Sequence, residues 1–102
     1  MIDRELLELA AKAAGYKVHG SGKLFWIWKD SNVEWVDWNP LTDDGDALRL
    51  AIDLELDVSL GKNSAVVEFG QLQIEELGAS DPYAAGRRAI VRAAAEIGRN
   101  MK

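Results

Sequence analysis

The sequence predicts an α+β fold in which a mostly antiparallel sheet is sandwiched by helices, giving α/β/α layers. Three observations carry this reading. Stretches with helical apolar spacing stand at the start, middle and end of the chain. Between them lie two groups of short runs rich in β-branched and aromatic residues. The links within each group are too short for parallel crossovers, which need a dozen or more residues. The resulting order is α-β-β-β-α-β-β-β-α.

In the first helix, Ile2, Leu6, Leu9 and Ala13 follow helical spacing, and Ala10 and Ala14 widen the stripe. Asp3 is suited to cap its start, and Gly15 to the left-handed position that ends it. Tyr16-Lys17-Val18-His19 reads as a short strand, followed by a turn at Gly20-Ser21-Gly22. The run 24–29 alternates Leu24, Trp26 and Trp28 with Phe25 and Ile27, so both faces are apolar and a central strand is expected. After a turn at Asp30-Ser31-Asn32, Val33 to Trp38 returns as its hairpin partner, and Pro40 ends the pairing.

The second helix is expected from Thr42 or Asp43 to Leu56. Ala47, Leu50, Ala51 and Leu54 form its stripe, Leu48 and Ile52 broaden it, and Asp46, Arg49 and Asp53 face solvent. Strands follow near 56–60 and 64–69, joined by Gly61-Lys62-Asn63, and Leu72-Gln73-Ile74-Glu75 extends the sheet. The last helix starts at Asp81, with Pro82 at the first helical position. Tyr83, Ile90, Val91, Ala94, Ile97 and Met101 supply its buried side.

A chain of 102 residues, 48% hydrophobic and 28% charged, has the size and balance of one soluble domain with a single modest core. No apolar run is long enough to span a bilayer, and the acidic start MIDRELLELA reads as a helix rather than a signal peptide. Zero cysteines exclude disulfides and thiolate chemistry and fit a cytoplasmic location. The net charge of -5 is uneven: residues 30–60 hold nine acids against Arg49, whereas Arg87, Arg88, Arg92, Arg99 and Lys102 enrich the last helix. The simplest expectation is that acidic and basic elements lie side by side.

The segment Trp38-Asn39-Pro40-Leu41-Thr42-Asp43-Asp44-Gly45-Asp46 raises a sharper question, whether its aspartates bind an ion or begin a helix. Thr42 or Asp43 can accept the free amides of a first turn, and acids there suit the positive end of the helix dipole. Asp46 and Asp53 stand three before and four after Arg49, at pairing distance along one face. An EF-hand register built on Gly45 places Pro40 at the first ligand position, which cannot work. Adjacent Asp43 and Asp44 could share a magnesium with a phosphate ligand, but the helix start accounts for the spacing without a metal.

The other candidates are weaker. HGSGKL (19–24) has Leu24 where a phosphate-binding loop needs a hydroxyl, and a turn explains its glycines. His19, the only histidine, has no neighbouring ligand or nucleophile with which to form a constellation. Trp26, Trp28 and Trp35 are expected in the core, and Trp38, beside Asn39 and Pro40 at a strand end, is the tryptophan most suited to partial exposure as a binding anchor. On the last helix Arg88, Arg92 and Arg99 share a side suited to phosphates, with Glu96 at pairing distance from Arg92. Against nucleic acid stands an acidic chain of isoelectric point near 4.8.

The run from Trp38 to Ala51, WNPLTDDGDALRLA, resembles the hallmark segment of the phage ABA-sandwich domain family. Arg87 to Ala94 resembles that family's C-terminal helix, and Glu5 to Gly15 its opening helix; the strands between match only in character. The resemblance implies helices on both sides of a sheet and a small accessory protein of tailed phages or prophages. It brings no established activity, cofactor or catalytic residue.

The expectation is therefore a noncatalytic accessory protein in the cytoplasm of a bacterial host, without cofactor or membrane attachment. Its partner would be a host or phage protein, bound through Trp38, Asn39, Pro40, Asp43 and Asp44. Nucleic acid at Arg88, Arg92 and Arg99 is the alternative, and magnesium-dependent chemistry on nucleotides at Asp43 and Asp44 ranks last. Homo-oligomerisation suits a small domain with broad apolar faces, though no interface is legible.

Overall fold

A computed structural model describes residues 2–19, 26–28, 36–78 and 80–101. Its elements are α1 (Asp3–Ala14), β1 (Lys17–His19), β2 (Trp26–Trp28), β3 (Val36–Asp37), α2 (Asp44–Asp53), β4 (Asp57–Leu60), β5 (Ser64–Phe69), β6 (Leu72–Leu77) and α3 (Pro82–Arg99). The class is α+β and the element order is the expected one. Among the described residues the strands form two antiparallel sheets, β1-β2-β3 and β4-β5-β6, where one was expected. The turns expected at 20–22 and 30–32, the loop HGSGKL beyond His19, and Trp35 lie outside the described residues, as do the side chains of His19, Trp26 and Trp28.

The long helix α3 organises the core. Asp81 caps it by accepting from the backbone N–H groups of Tyr83 and Ala84, both at 3.1 Å, and Pro82 begins it. Alanine occupies most of its contact positions: Ala85, Ala89, Ala93, Ala94 and Ala95 are buried together with Ile90 and Val91. Small side chains let neighbours approach on two sides at once. α3 packs on α1 and α2 and against β5 and β6. At Gly98 the approach is so close that a Cβ would lie 2.0 Å from the Leu9 carbonyl oxygen. Tyr83 and Met101, expected on the buried side, are exposed instead, because the buried arc ends where these neighbours end.

The α1 stripe is Leu6, Leu7, Ala10 and Ala11, turned slightly from the expected one, and Ile2 is exposed. Ile2, not Asp3, occupies the cap position and makes no side-chain cap, whereas Gly15 ends the helix at φ +81° as expected. In the second sheet, Val58 pairs with Val67 and Val67 with Ile74, so β4, β5 and β6 present one apolar face towards α3. The opposite face carries Asp57, Ser59, Glu68, Gln73 and Glu75, all exposed. Among the described residues α3 packs on the apolar side of this sheet, and α1 and α2 pack on α3.

Candidate functional site

The two flanks of α2 differ in how their groups are satisfied. At its start, Asp43 accepts the Asp46 N–H at 2.8 Å and caps the helix. Asp46 turns its other contacts outward from the cap: it accepts the Asn39 N–H at 3.0 Å and the Arg49 guanidinium at 2.8 Å. Its carboxylate is mostly covered rather than facing solvent. The Asn39 side chain in turn accepts the Leu41 N–H at 3.0 Å. Arg87 of α3 donates to the Leu41 carbonyl at 2.8 Å and to Asp44 at 2.6 Å. The acidic segment and the basic helix thus lie side by side, as the charge pattern led one to expect.

Trp38 corrects the expectation of an exposed anchor. It is 4% exposed and sits in the core cluster, its ring edge-on to Tyr16 at 5.7 Å and 88°. Pro40 beside it is fully buried and Asn39 half-buried, so the corner offers a partner little apolar surface. The Tyr16 hydroxyl donates to Asp53. Burial, then the Asp53 carboxylate, raises the phenol's pKa above the tyrosine range. Of the expected partner-binding residues, Asp43 and Asp44 remain on the surface, each engaged as described.

The arginines of the alternative site also have local partners. Arg88 faces Asp3 at 3.5 Å, Arg99 faces Glu96 at 3.2 Å, and Arg92 pairs with Glu76 of β6. The expected Arg92–Glu96 pair is replaced because β6 brings Glu76 to Arg92, leaving Glu96 to Arg99. No group of three or more histidine or acidic side chains among the described residues is placed to hold a metal ion. No helix among them is long and apolar enough to cross a membrane.

The other flank of α2 is apolar and open. α2 ends at Asp53, short of the expected Leu56, and the chain reverses through Leu54 and Glu55, the latter at φ +56°. β4 then runs back beside the helix. Between α2, β4 and the first turns of α3 lies a groove of about 780 Å³, with Ala47, Ala51, Val58, Gly86 and Ile90 among its lining. Leu48, Leu60 and Tyr83 line it too and are 60%, 66% and 73% exposed. Leu60 leans towards Gly86, where a Cβ would lie 3.2 Å from its methyl group. Ile52, one turn beyond Leu48, is exposed as well.

Comparison with protein-family models, curated proteins and solved structures finds no match. The groove therefore has to be read from its own chemistry. Its walls are methyl and aromatic surface, with the charged groups Asp44, Lys62 and Arg87 among its lining. Such a site takes apolar side chains of a partner, with charges available to fix orientation. The sequence carried one signal of it: Leu48 and Ile52, four apart, extend the α2 stripe beyond the arc that α3 covers.

Proposed function

We propose that this chain is a noncatalytic accessory protein of phage or prophage kind that binds a protein partner in the bacterial cytoplasm. The single observation that carries the binding reading is the groove between α2, β4 and α3, where Leu48, Leu60 and Tyr83 stand exposed together. Exposed apolar patches are uncommon on monomeric proteins unless something covers them. The phage assignment rests on the resemblance of residues 38–51, 87–94 and 5–15 alone. The docking surface moves from the Trp38 corner to the groove, with Asp44 and its partner Arg87 on the lining as polar contacts.

Nucleic acid at Arg88, Arg92 and Arg99 has less support, since each guanidinium already faces a carboxylate that a phosphate would have to displace. A tagged pull-down from bacterial lysate, divided into nuclease-treated and untreated halves, tests both. The expected result is a stoichiometric protein kept in both halves and lost with Leu48→Lys or Tyr83→Ala. Capture that disappears on nuclease treatment transfers the reading to the arginine side. Capture indifferent to both groove variants removes the groove from it.

A further inference from the structure

We propose that the groove takes a partner segment in which large apolar side chains stand next to a carboxylate, the apolar groups lying along Ala51, Val58 and Ile90 and the carboxylate meeting Lys62. This rests on the protein-partner reading and adds the partner's chemistry to it.

The groove has two unlike ends. Because the chain reverses through Leu54 and Glu55, Ala51 and Val58 lie near that turn, and the start of α2 lies beside the end of β4. Near the turn the lining is apolar. Its charged members, Asp44, Lys62 and Arg87, belong to the other end. There Arg87 reaches Asp44 at 2.6 Å, Leu60 leans on the neighbouring Gly86, and Lys62 follows Leu60 by two residues.

Charge selects the occupant. Asp44 and Arg87 compensate one another, and Arg87 also donates to the Leu41 carbonyl. Asp81, at the start of α3, accepts the Tyr83 and Ala84 amides. Lys62 is exposed and pairs with no carboxylate among the described residues. The bend that carries it is fixed by its own backbone. The Gly61 N–H donates to the Ser64 carbonyl at 3.0 Å and the Gly78 N–H to the Asn63 carbonyl at 2.8 Å. A Cβ at Gly78 would lie 2.1 Å from the Lys62 carbonyl oxygen, so that crossing is tight. A lysine on such a wall can lay its methylene stem on apolar surface and keep its ammonium at the rim. A carboxylate beside the partner's apolar groups then finds an unused donor as those groups fill the groove.

Fluorescence anisotropy of two labelled synthetic peptides tests this on the whole chain at physiological salt. The peptides share a stripe of leucines at helical spacing and differ beside it, with glutamate in one and lysine in the other. Lys62→Glu is expected to weaken binding of the glutamate peptide about threefold or more and to tighten that of the lysine peptide, because an exposed pair is lost in one and gained in the other. Lys17→Glu makes the same change in net charge on β1, away from the groove lining, and should move neither as far. Leu48→Lys should weaken both. No binding of either peptide, or a response to Lys62→Glu no larger than to Lys17→Glu, would overturn the proposal. So would a wild type that self-associates in analytical ultracentrifugation and loses this with Leu48→Lys, which gives the groove to a second copy. The wider reading fails separately: a lysate partner lost with Leu48→Lys yet kept in full with Lys62→Glu preserves the groove as a docking site and removes the carboxylate from it.

Discussion

The start of α2 and the strand that runs back beside it belong to one helix-turn-strand unit, yet they spend their polar and apolar groups in opposite ways. Around Asp43, Asp44 and Asp46, each carboxylate has a partner within the fold: a helix amide, a loop amide, or an arginine. Across the helix, Leu48, Ile52 and Leu60 are turned towards solvent, and Glu55, Asp57 and Lys62 carry charge with no counterpart among the described residues. The more conspicuous stretch of sequence is thus the saturated one. Surface left over after folding is the better guide to binding than unusual composition.

Substitutions sharpen the contrast. Trp38→Ala, on the saturated side, should cost about 3–5 kcal/mol in urea unfolding, through lost burial and a cavity beside Tyr16. Tyr83→Ala, on the open side, should stay within about 0.5 kcal/mol of wild type. Equal costs at the two would abolish the distinction between a structural corner and a free groove. Gly98→Ala comes next. Its new methyl meets the Leu9 backbone, which cannot rotate away, and about 3 kcal/mol is expected from forcing α1 and α3 apart.

Asp43→Ala removes the α2 cap and should cost about 1 kcal/mol by the same unfolding measurement. Retention of full stability would mean that the aspartates are kept for something other than the helix start. Arg92→Gln should cost less, under about 1 kcal/mol, because its pair with Glu76 is partly exposed and screened by water.

The smallest effect on stability at neutral pH concerns Tyr16. Its folded pKa is raised, so the neutral phenol's contribution is complete below the ordinary tyrosine value, about 10, and is lost only as pH rises through the higher folded value. A spectrophotometric titration should find Tyr16 ionising later than an ordinary tyrosine. Asp53→Asn should bring it part of the way back, because burial, the larger cause, remains. No change in that variant would show that Asp53 does not govern the phenol.

The helix starts at Asp43 and Asp81 were legible because capping is local: the accepting oxygen and the amides it serves lie within three residues. The class and element order were legible from periodicity for the same reason. What could not be read depends on where distant elements meet. The exposure of Leu48 and Ile52 follows from α3 covering only part of the α2 stripe. Tyr83 is outside because α2 and β4 leave an open groove beside the first turn of α3. The choice of Glu76 over Glu96 by Arg92 requires β6 to arrive beside α3, and the sidedness of the second sheet, with α3 over one face, requires the same packing.

The placement of α3 has a consequence for how the protein is made. α1, α2, β5 and β6 all find their packing surface on residues 82–99, which leave the ribosome after every one of them. Until that stretch emerges, the apolar sides of the earlier elements have no native counterpart. Local hairpins can close during synthesis, but the cooperative core must wait until residues 82–99 have emerged. A nascent chain halted before residue 82 should therefore remain sensitive to protease, and the interval before α3 emerges is when chaperones have most to hold.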